Sequence, residues 1–214
     1  MKTTYATNQL GRRERNKQEK LERITEAARE LFAEKSVSSV TTAEVAAKAD
    51  VAAGTLFLYA KTKGELLLLA QNANYRGAHQ AGLKASAAKT EIVPALIALI
   101  TPIVKCNREH VENGRTYLME VVFGSSKDSH RLEALELMHG TETSAAQIIA
   151  TKREPEQAQL LAKTVMSVMF LTLSSPSNVG RSNSEILGEI QGQLDLLFLK
   201  AAPALLQSRV TYSV

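Results

Sequence analysis

Residues 41–63, TTAEVAAKADVAAGTLFLYAKTK, constrain this chain more than any other stretch. Thr41 followed three residues later by Glu44 is a capping box. The hydroxyl accepts from the Glu44 amide and the carboxylate accepts from the Thr41 amide. Val45, Ala46 and Ala49 then lay an apolar stripe at helical spacing, which Asp50-Val51 ends. A second helix is predicted from about Ala52 to Tyr59, with Leu56 on its inner face. Thr62 and Glu65 repeat the capping box and open a third, far more apolar helix. Two short helices joined by a turn of a few residues have the layout of a DNA-binding helix-turn-helix, whose second helix enters the major groove.

Ala46…Ala49-Asp50-Val51-Ala52-x-Gly54-Thr55-Leu56-Phe57-x-Tyr59-x-x-Thr62-Lys63-x-x-Leu66 resembles the N-terminal domain of the TetR family of repressors, over about Leu21–Leu67. The pattern departs from the family at four places. Asp50 stands where the family has Gly, although Asp tolerates a left-handed turn better than most residues. Ser36-Val37 replaces a Gly-aromatic pair, Ala60 an aromatic residue and Gly64 an acidic one. The resemblance implies an all-α chain of about nine helices. A DNA-binding domain would occupy residues 17–64 and a ligand-binding and dimerisation domain residues 65–214, after a flexible basic arm over residues 1–16.

Charge supports this division. Residues 1–63 hold 12 Lys/Arg against 8 Asp/Glu, and the remainder balances at 14 of each, so the whole net charge of +4 lies in and before the helix-turn-helix. A positive end beside a neutral body suits phosphate binding. The stretch from Gly11 to Lys17 reads as the basic arm, with Arg12, Arg13 and Arg15 able to follow the DNA backbone or enter a minor groove.

The expected DNA contacts sort by chemistry. Thr41 and Thr42 sit at a helix N-terminus, where hydroxyls and free amides suit a phosphate. Ala53, Gly54 and Thr55 are small and let the backbone approach the groove. Thr55 can hydrogen-bond a base edge, and Ala53 and Leu58 can touch thymine methyls. By resemblance Tyr59 is a phosphate-contacting aromatic and Lys63 a phosphate clamp. Phe57 replaces a family Tyr and so lacks its hydroxyl.

Beyond Lys63 the chain is a series of apolar helices. Pro94 fits a first helical turn, and Pro102 implies a kink or break. The helices over about 155–173 and 184–206 carry Leu161, Val165, Val168 and Met169, and Ile190, Leu194 and Phe198. These are the expected dimer surface, which by resemblance closes a four-helix bundle and presents two recognition helices to a pseudo-palindromic operator. The resemblance also implies a small-molecule pocket in the middle helices, with Tyr75, His79, Tyr117, Glu120, Phe123, His139 and Met169 as candidate contacts. Met119 and Met138 belong to the same group of polar-tipped or deformable side chains in apolar helices.

The single cysteine, Cys106, excludes an internal disulfide. The four His show no metal-ligand spacing, so no metal and no cofactor are expected. Without a signal-like or bilayer-length apolar segment, a soluble cytoplasmic protein with no membrane partner is expected. Three function classes follow. The first is a repressor released from its operator by a small molecule. The second is a DNA-binding regulator controlled by a protein partner. The third is an enzyme using the helical pocket, which lacks any Gly-rich phosphate loop, nucleophile elbow or acid–base pair in its favour.

Overall fold

The computed structural model describes residues 11–124 and 128–199, and every regular element among them is helical. The helices are α1 (Arg12–Glu34), α2 (Thr42–Lys48), α3 (Ala53–Leu56), α4 (Lys63–Ser86), α5 (Ile92–Asn107), α6 (Val111–Phe123), α7 (Ser129–Ala150), α8 (Pro155–Ser174) and α9 (Asn183–Leu197).

Helix α4 is the centre of the molecule. Its run Leu66-Leu67-Leu68-Leu69-Ala70 is buried on every side, because α4 packs against α1, α5, α6 and α7 together. A helix apolar all round has no solvent face to offer. Its closest approach is to α5 at Gly82, where any Cβ would fall on the Leu99 carbonyl. The expected domain boundary after residue 64 thus lies inside the first turn of a helix that both domains share.

In the N-terminal domain, Ile24, Ala27, Ala28, Leu31 and Phe32 of α1 pack on Val40, Val45, Ala46, Ala49 and Leu56. In the body, Leu96, Leu99, Ile100 and Ile103 of α5 meet α4, and α9 packs on α5 and α8 through Ile186, Ile190 and Leu194.

Three expectations change in detail. The basic arm is helical from Arg12, so only residues 1–10 of the expected arm lie outside the described residues. Pro102 neither kinks α5 to a stop nor divides it, since the helix runs unbroken from Ile92 to Asn107. The last helix ends at Leu197, and the part expected beyond residue 199 lies outside the described residues, as do residues 125 and 126 of the expected 124–126 loop. Among the described residues no helix is long and apolar enough to cross a membrane.

Candidate nucleic-acid interface and ligand pocket

The helix-turn-helix is held by local caps, as its short helices require. Thr41 Oγ1 accepts from the Glu44 amide at 3.1 Å, and Glu44 Oε2 accepts from the Thr41 amide at 2.7 Å. That backbone bond, together with bonds from Lys35 Nζ and the Thr41 hydroxyl, holds the Glu44 carboxyl down at about 2. Helix α2 ends in a Schellman motif. The Val51 amide bonds to Ala46 O and the Asp50 amide to Ala47 O, with Asp50 left-handed at φ 50°. Asp50 fills the glycine position for a second reason: its carboxylate accepts from Arg23 Nη1 of α1 at 3.1 Å. The second capping box is half formed. Thr62 Oγ1 accepts from the Glu65 amide, but the Glu65 carboxylate accepts from Lys61 N rather than from Thr62.

Helix α3 is shorter than predicted, spanning Ala53–Leu56 with a turn through Tyr59. Only Leu56 of α3 is buried. Ala53, Gly54 and Phe57 are exposed, Leu58 is 83% exposed, and Thr55 and Tyr59 are half-buried. No acidic residue occurs from Ala52 to Gly64. This uncharged, partly apolar surface is flanked by Lys61 and Lys63 and by the basic start of α1, which the Tyr59 hydroxyl reaches by donating to Lys17 O at 3.1 Å. Lys63 Nζ donates to Ser38 O at 3.0 Å, and the Thr41 hydroxyl donates to Glu44 at 2.9 Å. Thr42, at the first position of α2, is half-buried. Three of the expected phosphate-binding groups are therefore already ordered by internal bonds.

In the body, α4–α8 line an open cavity of about 670 Å³. Its walls are mostly apolar, with Ile103, Leu118, Val122, Leu135, Met138, Met166, Met169, Phe170 and Leu173, while Tyr75, Asn107, His139, Glu142, Lys163 and Ser167 add polar groups. Of the predicted pocket residues, Tyr75, His139 and Met169 line it and His79, Tyr117, Glu120 and Phe123 do not. The Tyr75 hydroxyl bonds Thr141 Oγ1 at 3.0 Å, and burial pushes it up to about 12.

Each absent residue has another place. His79 Nε2 pairs with Ser144 Oγ at 3.1 Å, and burial lowers its pKa. The buried Tyr117 hydroxyl donates to Asn72 Oδ1 at 3.0 Å. Glu120 lies against Gly64, where an added Cβ would stand 3.4 Å from its Oε1. The acidic residue of the family pattern at 64 would face this carboxylate, which accounts for the glycine. Phe123 and Met119 are exposed on the outer side of α6. Cys106 is held up at about 11 by burial and by Glu109, a thiol that stays protonated at neutral pH.

Four of the seven residues expected at the dimer surface lie inside the chain. Val165, Ile190 and Leu194 have no exposed surface and Met169 is buried, so these four belong to one chain's own core. Leu161, Val168 and Phe198 are half-buried against the same core. The most apolar stripe of each helix serves to pack α8, α9 and α5 within the chain. Leu160 and Thr164 face outward on α8, Ser167 and Leu171 are exposed where they line the cavity, and Gly188, Gly192, Leu196 and Leu199 face outward on α9 and just beyond it.

Sequence reasoning missed the residues that join the two domains. Asn113, fully buried at the start of α6, accepts from Val37 N at 2.8 Å and donates to Phe32 O at 2.7 Å and Lys35 O at 2.8 Å. It clasps the end of α1. His130 of α7 reaches the Tyr59 carbonyl at 2.8 Å. No spacing rule announces either residue, because each partner lies 70 or more residues away.

Residues 24–70 match the family model described as bacterial regulatory proteins, tetR family. The chain carries a TetR-family N-terminal domain. The whole TetR-like architecture recurs in solved structures. A TetR transcriptional regulator from Rhodococcus sp. RHA1 aligns with TM-score 0.66 and 18% identity, covering 87% of this chain and 100% of its own. Thermus thermophilus FadR, a TetR-family repressor solved with lauroyl-CoA, aligns with TM-score 0.63 and 22% identity over 86% of this chain and 98% of its own. FadR from Bacillus subtilis, solved with stearoyl-CoA, gives TM-score 0.59 and 17% identity over 82% and 96%. At these identities the likeness to the solved structures is one of fold. No curated protein matches the sequence. The matched segment, residues 24–70, spans the helix-turn-helix, a domain of bacterial regulatory proteins.

Proposed function

We propose that this regulator is a dimeric repressor released from a pseudo-palindromic operator when a small molecule fills the α4–α8 cavity. The observation that carries the reading is the sharing of elements. Helices α4, α6 and α7 wall the cavity with Tyr75, Leu118 and Met138, and the same helices hold the DNA-binding domain through Asn74, which accepts from Arg29 of α1, Asn113 and His130. A ligand that shifts these walls acts on the helix-turn-helix without further parts, and the coupling is reciprocal, so operator weakens ligand binding equally.

Ala53, Gly54, Thr55, Phe57 and Leu58 would meet base edges and sugars in the major groove, and Thr41, Thr42, Tyr59 and Lys63 the phosphates. Lys63 would exchange the Ser38 carbonyl for a phosphate oxygen. The outward faces of α8 and α9 would pair in the dimer, with Gly188 and Gly192 letting the helices approach.

The cavity suits a ligand with an apolar chain and a polar or anionic head. Its walls are aliphatic, and His139, Glu142 and Lys163 supply the polar contacts. Acyl-CoA thioesters are the first class to try, because two proteins of this fold were solved holding them. The test is calorimetric titration with lauroyl-CoA and stearoyl-CoA, followed by the same ligands added to a protein–DNA complex. Saturable binding that lowers DNA affinity supports the reading. Tight DNA binding that no such ligand alters would favour a regulator governed by a protein partner.

A further inference from the structure

Helix α7 meets both the cavity and the recognition segment. Its N-terminus is capped by Asp128, whose carboxylate accepts from His130 N at 3.3 Å and Arg131 N at 3.2 Å. The imidazole then points out of the body, with Nε2 at 2.8 Å from Tyr59 O. A carbonyl only accepts, so Nε2 carries the hydrogen. Tyr59 is thereby tethered twice, by its carbonyl to α7 and by its hydroxyl to Lys17 O of α1.

The same turn of α7 is tied to the core. Asn72 Nδ2 donates to His130 O at 2.8 Å and to Glu133 Oε2 at 3.1 Å, and Asn72 Oδ1 accepts from the buried Tyr117 hydroxyl. Leu118, beside Tyr117, lines the cavity, and so do Leu135 and Met138 one and two turns after His130. A series of bonds therefore runs from Tyr117, next in the chain to Leu118 of the cavity wall, through Asn72 and His130 to Tyr59.

We infer that His130 is the positioning residue through which the cavity sets the recognition segment. The inference rests on the regulator reading above. A helix moves nearly as a rigid rod, so a shift at Leu135–Met138 reaches His130, and a hydrogen bond is lost within about 1 Å of stretch. Before the cavity is filled, the bond fixes the Tyr59 carbonyl at the end of the turn after α3. Once α7 moves, the turn is released from the body.

The test compares H130A with H130Q, whose amide keeps a donor for Tyr59 O, each with and without M138W, a substitution that fills the cavity from within. Hydrogen exchange over residues 53–62 and affinity for labelled DNA from upstream of the protein's own gene are the readouts. H130A is expected to speed exchange over 53–62, leave 155–197 unchanged, and weaken DNA binding about fivefold, the scale of one hydrogen bond. H130Q is expected to restore both. M138W is expected to weaken DNA binding in the parent and H130Q proteins and to have less than a twofold effect beside H130A. Equal exchange in H130A and parent, an H130Q protein no better than H130A, or an M138W effect of the same factor in every background would each overturn the inference. A parent protein that binds no DNA would sink the regulator reading, and the exchange comparison would still decide the tether.

Discussion

The DNA-binding end and the helical body bury their helices by different means. Helices α2 and α3 have only seven and four residues, well below the length at which a helix is stable in water on its own. A capping box and a Schellman turn set their ends, and a small patch of buried side chains, Val45, Ala46 and Leu56, seats them on α1. The body uses helices of 13 to 24 residues, and its order comes from aliphatic packing around α4. Caps are directional and leave the outer surface free for a partner. Packing is less directional and leaves room for a cavity. The contrast teaches where each function can reside: a fixed contact surface at one end, a deformable container at the other, and a few polar bonds between them.

The contrast is broken most severely by charge in the body. Leu194→Glu places an uncompensated carboxylate in the core of α9 and should cost about 3–5 kcal/mol, seen as a collapse of the urea midpoint. Leu160→Glu with Leu196→Glu, on the outward faces, should leave the fold intact and yield monomers in sedimentation. Monomers from a well-folded Leu194→Glu protein would reverse this assignment of faces.

The next largest effect is expected where the two regions meet. Asn113→Ala leaves Val37 N and the Phe32 and Lys35 carbonyls without their partner and should cost about 2–3 kcal/mol. The N-terminal domain should then melt separately from the body in calorimetry. A single transition at the parent temperature would show that the clasp joins nothing.

Acid should act on the capped end through Glu44. The Glu44 carboxyl is held at about 2, below its ordinary 4.5. A depressed folded pKa means that its contribution is present above about pH 4.5 and is lost as pH falls to about 2. Nuclear magnetic resonance titration of Glu44 should read that value, and Glu44→Gln should flatten the loss of N-terminal stability over the same interval. An ordinary Glu44 midpoint would mean that the capping box is open in solution.

The smallest effect concerns one phosphate. Lys63→Ala should weaken binding to all DNA sequences and make the salt slope shallower by about one unit. An unchanged slope would leave Lys63 with its bond to Ser38 and no role on DNA.

What could be read from the chain follows the same division. Thr41–Glu44 and Asp50–Val51 announce themselves because each partner lies within five residues, so spacing alone implies geometry. The helical start at Arg12 was hidden because its charged residues resemble a solvated arm as closely as an exposed helix. On α8 and α9 the apolar stripe was legible, but not whether it turns inward or toward a second copy. Val165 and Ile190 proved to be core. Tyr117 and Glu120 looked like pocket residues because polar tips in an apolar helix suit a ligand, and yet Tyr117 bonds Asn72 of α4 and Glu120 lies beside Gly64. Asn113 and His130 left no trace, since a polar residue near a helix start is ordinary until the fold brings Phe32 or Tyr59 beside it.

The central claim, that the capped end reads DNA, is tested most directly by a fluorescence-anisotropy titration. Purified protein would be titrated on DNA from upstream of its own gene, and on random DNA, at two salt concentrations. The account predicts saturable binding that prefers the upstream sequence and weakens steeply with salt. Affinity no greater than for random DNA at both salt concentrations would contradict it.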